Sequence, residues 1–186
     1  MRLIETSLPG VVVIEPNVFQ DDRGFFLESY REEQFERLGI RARFVQDNHS
    51  KSVQGALRGL HFQLVHPQAK LCRVIQGAVL DVAVDIRLES PHFGKWAKEL
   101  LTAENHRQIF IPAGFAHGFL VLSPTAEFLY KCTDYYYPDD QQGIIWNDPD
   151  LNIGWDIASP LLSAKDQQLP RLKVLSPDRL PRYRPA

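Results

Sequence analysis

The chain has 186 residues, with 21 Lys+Arg against 23 Asp+Glu and a net charge of -2. Hydrophobic residues make up 44% and charged residues 24%, the balance of a folded globular chain and not of a disordered or collagen-like one. The even charge excludes a broad basic field that would draw nucleic acid or anionic lipid, so any anionic ligand must be met by a local cluster.

At this length one domain spanning 1–186 is expected, with a β core at about 43–137 on which N-terminal strands (1–42) and a C-terminal segment (138–186) pack. The opening MRLIETSLPGVVVIEP has only the short apolar run Gly10 to Ile14, preceded by Glu5, so no signal peptide or membrane span is expected. Ser29 to Gly39 predicts a short helix, with Ser29 as N-cap, Phe35 and Leu38 on one side and Gly39 as the stop. From Arg43 to Tyr137 come the β-rich runs RFVQDNHS, RGLHFQL, KLCRVI, AVLDVAVDI, WAKELLTA, RQIFIP, AHGFLVLS and EFLYKCTDYYY. Gln76-Gly77 and Pro112-Ala113-Gly114 supply turns between them. In AVLDVAVDI, Leu80, Val82, Val84 and Ile86 alternate with Asp81, Ala83 and Asp85, as in a strand with two different faces. Ser163 followed by Asp166 predicts a second helix start. The proline-rich tail from Pro177 predicts an extended surface segment. Together these runs predict a mainly β fold, an antiparallel sandwich or barrel with two helical attachments. Cys72 and Cys132 have no CxxC spacing and are expected as buried thiols of a reducing compartment.

Two segments resemble the motifs of the cupin family, a small β-barrel of jelly-roll type. Gly55 is followed after five residues by His61, then Phe62 and Gln63, with Lys70 six residues before Gly77; Pro112, Gly114 and His117 complete the second motif. Metal-binding cupins hold an ion with three His and a Glu, and here those positions read His61, Gln63, Lys70 and His117. An ammonium repels a cation where a carboxylate would bind it, so no metal and no cofactor are expected. A base, a cation and amides suit proton abstraction beside a carbonyl: His61 as base, Lys70 beside the enolate oxygen, and Tyr130 as a second acid on the opposite face.

The segments DDRGFFLESY, FVQDNHSKS with RGLHFQ, IPAGFAHGF, LYKCTDYY, GIIWNDPDLNIGW and LLSAKD narrow the resemblance to the dTDP-4-dehydrorhamnose 3,5-epimerase family. That resemblance implies a cofactor-independent isomerase, with His61 as base oriented by Asp166, Tyr130 as acid, Lys70 at the enolate and His117 lining the sugar pocket. It further implies substrate contacts from Arg23, Glu28, Gln46, Asp47, Asn48, Arg58 and Lys165, with Tyr136 stacking on thymine. Gln141 stands where the family commonly has Glu, which removes a charge from a nucleotide contact. A cytoplasmic homodimer is implied too, with N-terminal strand residues near Arg23 to Glu28 reaching towards the neighbouring subunit's site.

Taken without the resemblance, several residues have plainer readings. Asp166 after Ser163 is also a helix-capping pattern, Lys70 a solvated strand-start lysine, and the tyrosines ordinary strand aromatics. Arg58 and His61 have opposite parity in a regular strand, so a shared ligand requires a bulge, a strand end or a second subunit. A mono-epimerase, a metal-dependent cupin dioxygenase and a non-enzymatic sugar-nucleotide binding module are the alternative functions.

Overall fold

In the computed structural model, residues 1–184 are described; Pro185 and Ala186 of the tail lie outside them. The chain begins with β1 (Arg2–Glu5), β2 (Val12–Glu15), β3 (Val18–Asp21) and β4 (Gly24–Leu27), followed by α1 (Glu32–Arg37). Eight strands follow: β5 (Gln46–Val53), β6 (Leu57–Gln63), β7 (Lys70–Gln76), β8 (Ala78–Asp85), β9 (Trp96–Thr102), β10 (Gln108–Ile111), β11 (Phe115–Val121) and β12 (Thr125–Cys132). After β13 (Gln141–Gly143) come one-turn 3-10 helices at Asp166–Gln168, Leu172–Val174 and Pro177–Arg179.

One sheet runs β1-β2-β10-β7-β12-β5, the other β13-β6-β11-β8-β9, and β3-β4 form a separate hairpin. From β5 to β8 and again from β10 to β12, successive strands lie in opposite sheets, so the turns between them wrap the chain around a common interior. This is the mainly β, cupin-type jelly-roll sandwich that the sequence predicts. Val13, Cys72, Val74, Ile109, Ile111 and Phe128 from the first sheet meet Val79, Ala83, Phe115, Phe119 and Val121 from the second in that interior. The outer face of the second sheet is also dry, because Leu60, Phe62, Val82, Val84 and Leu120 are covered by Ile144, Leu151, Trp155, Leu172, Leu175 and Leu180. On the first sheet, Ile14 and Leu71 pack outward against Phe35 and Ile40 around α1.

Both faces of β8 are therefore buried, and its alternation does not separate core from solvent. Asp81 and Ala83 point into the sandwich while Val82 and Val84 point under the C-terminal segment. The expected turn at Gly77 is present: φ is +76°, and a Cβ there would lie 2.1 Å from the Thr125 carbonyl oxygen.

Two expected elements differ. The helix starts after Arg31, not Ser29, and has no side-chain cap. The Ser29 carbonyl instead accepts a hydrogen bond from Gln108 Nε2 at 2.7 Å, which ties this segment to β10 before the helix begins. The second helical start is a single 3-10 turn, although the Asp166 N–H does donate to Ser163 Oγ at 3.0 Å as the capping pattern requires. The tail is not wholly extended, since it turns once at Pro177–Arg179.

Candidate active site

A cavity of about 890 Å³ opens between the sheets. Its walls come from β5, β7 and β12 on one side and β6 and β11 on the other, with Ser163, Lys165 and Asp166 at the rim.

His61 and His117 are direct partners across β6 and β11, so both rings project from the same wall. His61 Nε2 lies 2.6 Å from Asp166 Oδ1. Burial pushes the Asp166 carboxyl up, but hydrogen bonds from His61, Ser163 and the Gly59 N–H, together with the imidazole's charge, outweigh it and hold the group below the usual carboxylate range. An ionised carboxylate can only accept, so Nε2 is the nitrogen that carries the hydrogen towards Asp166, and in the neutral ring the lone pair is on Nδ1. Asp166 is 4% exposed and His61 only partly buried, the arrangement of a fixed orienter behind an accessible base.

The parity conflict between Arg58 and His61 is resolved by a bulge. His117 pairs with His61 and Phe119 with Arg58, so Gly59 and Leu60 stand opposite Gly118 alone. Gly59 has φ +126°, and a Cβ there would come within 2.5 Å of Gly118 Cα, so the bulge requires glycine. The extra residue brings Arg58 and His61 to one cavity, with the Arg58 Nε donating to Ser52 Oγ at 3.0 Å.

On the opposite wall, Tyr130 lies between Asn48 of β5 and Cys72 of β7. Burial, reinforced by Cys132 and Cys72 and opposed by Arg58, pushes its hydroxyl up to about 12, so it remains a proton donor at neutral pH. Lys70 Nζ lies 5.8 Å from the centre of the Tyr130 ring. Gln46 and Asn48 line the same wall, joined by a 3.1 Å hydrogen bond from Gln46 Nε2 to Asn48 Oδ1. Tyr136, Gln141 and Lys165 also face the cavity.

Three expected site residues are not brought to this cavity. Asp47 follows the alternation of β5 to the outer face, where its carboxylate accepts from Lys131 Nζ at 3.0 Å; its neighbours Gln46 and Asn48 point inward. Arg23 sits in the β3–β4 turn, 90% exposed at its side chain and bonded to Asp21. Glu28 follows β4, and its Oε1 is buried without a hydrogen-bond partner among the described residues.

Asp81, which sequence reasoning did not single out, does not line the cavity but holds His117, which does. It is fully buried on β8 and accepts from His117 Nε2 at 3.0 and 3.1 Å. Burial lowers the His117 pKa against the opposing charge and hydrogen bond of Asp81, with Lys70 and His61 lowering it further, so this imidazole is neutral. The signal lay in AVLDVAVDI, whose polar-looking face is the interior of the sandwich.

The residues at the cupin metal positions do not fit an ion. Gln63 spends its amide on the backbone of His66, Tyr135 and Tyr137, and Lys70 brings a cation into the cavity. Among the described residues, Cys72, Asp81 and His117 hold ligand-type atoms within 4.8 Å of one another. Burial and the charge of Asp81 push the Cys72 thiol well up, and the Asp81 oxygens are already taken by His117, so this trio is a poor cation site.

The sequence profile of the dTDP-4-dehydrorhamnose 3,5-epimerase family matches residues 5–174. A dTDP-4-dehydrorhamnose 3,5-epimerase of Pseudomonas aeruginosa is 55% identical over 170 residues, covering 90% of this chain and 94% of that protein. The crystal structure of a Legionella pneumophila dTDP-6-deoxy-D-glucose-3,5-epimerase in complex with dTDP-4-keto-L-rhamnose superposes with a TM-score of 0.96 at 49% identity, covering 99% of each chain. A dTDP-4-dehydrorhamnose 3-epimerase of Streptomyces niveus is 40% identical over 169 residues, covering 90% of this chain and 82% of that protein. With this fold and these relatives, the chain belongs to the dTDP-4-dehydrorhamnose 3,5-epimerase family.

Proposed function

We propose that this enzyme epimerises C3 and C5 of dTDP-4-dehydro-6-deoxy-D-glucose to give dTDP-4-dehydro-L-rhamnose, with His61 and Tyr130 working from opposite walls of the cavity. Both carbons are α to the C4 ketone, so removal of either proton leaves an enolate. His61 Nδ1 takes the proton, while Asp166 holds the ring and balances the imidazolium that forms. Lys70 faces the developing enolate charge. Tyr130 returns a proton from the first sheet, on the side of the sugar away from His61, and this inverts configuration. One base, one cation and one acid serve both carbons if the sugar ring turns between the steps.

The observation that carries this reading is the 2.6 Å contact of His61 with an ionised Asp166 in the same cavity as a protonated Tyr130. Arg58, Lys165, Gln46, Asn48, His117, Gln141 and the Tyr136 ring bind the substrate, the guanidinium of Arg58 suiting the diphosphate.

The β3–β4 hairpin supports a homodimer. Phe19, Phe25 and Phe26 on it are 64%, 58% and 69% exposed, and burying each stabilises by about 1.5–3 kcal/mol. Docked on a second copy, the hairpin delivers Arg23 and Glu28 to the neighbouring cavity. No helix among the described residues is long and apolar enough to cross a membrane; a cytoplasmic location is part of this proposal because sugar nucleotides are made there.

Incubation with dTDP-4-dehydro-6-deoxy-D-glucose tests the reading. The L-lyxo ketosugar is the expected product; a sugar inverted at only one carbon would make the chain a mono-epimerase, and unchanged substrate would leave only binding.

A further inference from the structure

Gln63 is 6% exposed, and among the described residues the hydrogen bonds of its amide all go to backbone groups. Its Nε2 donates to the carbonyl oxygens of His66 at 2.7 Å and Tyr135 at 3.0 Å, and its Oε1 accepts from the N–H of Tyr137 at 2.8 Å. Buried amides satisfied in this way fix the backbone that they touch. The residues bonded here lie in two loops, one after β6 and one after β12, which are also joined where the Thr133 N–H donates to the Ala69 carbonyl at 3.1 Å and Gln68 Nε2 to the Asp134 carbonyl at 2.8 Å. Asp140 gathers the N–H groups of Leu64, Val65 and His66 at 3.2, 3.0 and 2.8 Å, and the His66 ring stacks on Tyr137 with centroids 3.9 Å apart. Gln46 Oε1 accepts from the Tyr136 N–H at 2.9 Å.

Tyr136 is thus clamped at its own N–H and at both neighbours, while its ring stays 48% exposed at the cavity. We infer that Gln63 is a positioning residue for nucleotide binding, holding the Tyr136 ring in the orientation that receives the base. This rests on the reading of Tyr136 as the ring on which the base stacks. A half-exposed aromatic on an untied loop would have to be ordered at each binding event, whereas a ring already fixed binds without that loss. The position that holds a metal ion in metal-binding cupins here shapes the nucleotide end of the site, although it lines the same cavity as His61.

The test is calorimetric titration of the full chain with dTDP, together with steady-state kinetics, for wild type, Gln63→Glu, Tyr136→Ala and the double variant. Gln63→Glu replaces two N–H bonds by a carboxylate facing two carbonyl oxygens, so dTDP affinity is expected to fall about tenfold. KM should rise in parallel, with kcat changed less than about threefold. Loss of the stacking ring in Tyr136→Ala should also cost about tenfold or more. The two losses should not add: in the Tyr136→Ala background, Gln63→Glu should cost less than about twofold. Additive losses, or a fall in kcat with unchanged dTDP affinity, would overturn the positioning role. Unchanged dTDP affinity in Tyr136→Ala would overturn the stacking reading instead. Should Gln63→Glu fail to fold, Gln63→Met, which lacks both the amide and the buried charge, carries the same comparison.

Discussion

Arg58 and His61 stand three positions apart in β6, yet both face one cavity, because Gly59 and Leu60 bulge opposite the single residue Gly118. Without the bulge the two side chains would leave opposite faces of the sheet. Gly59→Ala is therefore expected to be strongly destabilising and to reduce activity beyond its effect on folding. Thermal unfolding and turnover of the folded fraction measure the two effects separately; wild-type values for both would show that the bulge tolerates a Cβ.

The Asp166 carboxylate couples stability to pH. Its folded pKa lies below the unfolded value of about 3.9, so its stabilising contribution is complete above that value and is lost as pH falls through the folded pKa. The Tm difference between wild type and Asp166→Asn should hold from neutral pH down to about 4 and shrink as the pH falls below that. Turnover by Asp166→Asn should fall by about 10² to 10⁴, because the uncharged amide neither fixes the tautomer nor stabilises the imidazolium. A pH-independent Tm difference would contradict the coupling.

Tyr130→Phe separates abstraction from return. Solvent exchange should persist in part while net inversion fails, and unimpaired inversion would identify another acid. Since the Tyr130 hydroxyl is pushed up to about 12, wild-type activity should show no loss from its ionisation below about pH 11.

Lys70→Met removes the cation at the enolate, and kcat should fall by about 10² to 10³. Prolonged chelation of wild type should leave turnover intact. Activity that is lost on chelation and restored by one divalent metal would contradict the assignment of Lys70.

The hairpin proposal has a complementation test. Arg23→Ala and His61→Asn chains are each expected to be impaired as homodimers. Mixed dimers should recover one complete site, with His61 from one chain and Arg23 from the other. No recovery in verified mixed dimers would mean that Arg23 acts within its own chain or not at all.

Much of this organisation was readable in the residues. The eight β-rich runs correspond to β5 through β12, because strand periodicity and turn residues are local signals. Ser29 failed as a cap because its carbonyl is held by Gln108, a contact between distant parts of the chain. Asp81 was not singled out because the alternation in β8 marks two different faces without showing that both are dry, and it is the C-terminal segment that covers the second one. Asp47 shows the reverse: simple alternation in β5 points it away from Gln46 and Asn48, and the structure follows that alternation. Asp166 meets His61 across 105 residues, a distance that no local pattern spans.

The most direct test is solvent deuterium incorporation at C3 and C5 of dTDP-4-dehydro-6-deoxy-D-glucose, followed by NMR with wild type and His61→Asn. The account predicts label at both carbons with wild type and nearly none with His61→Asn, provided that the variant still binds dTDP. Wild-type labelling rates in His61→Asn would show that another group removes the protons.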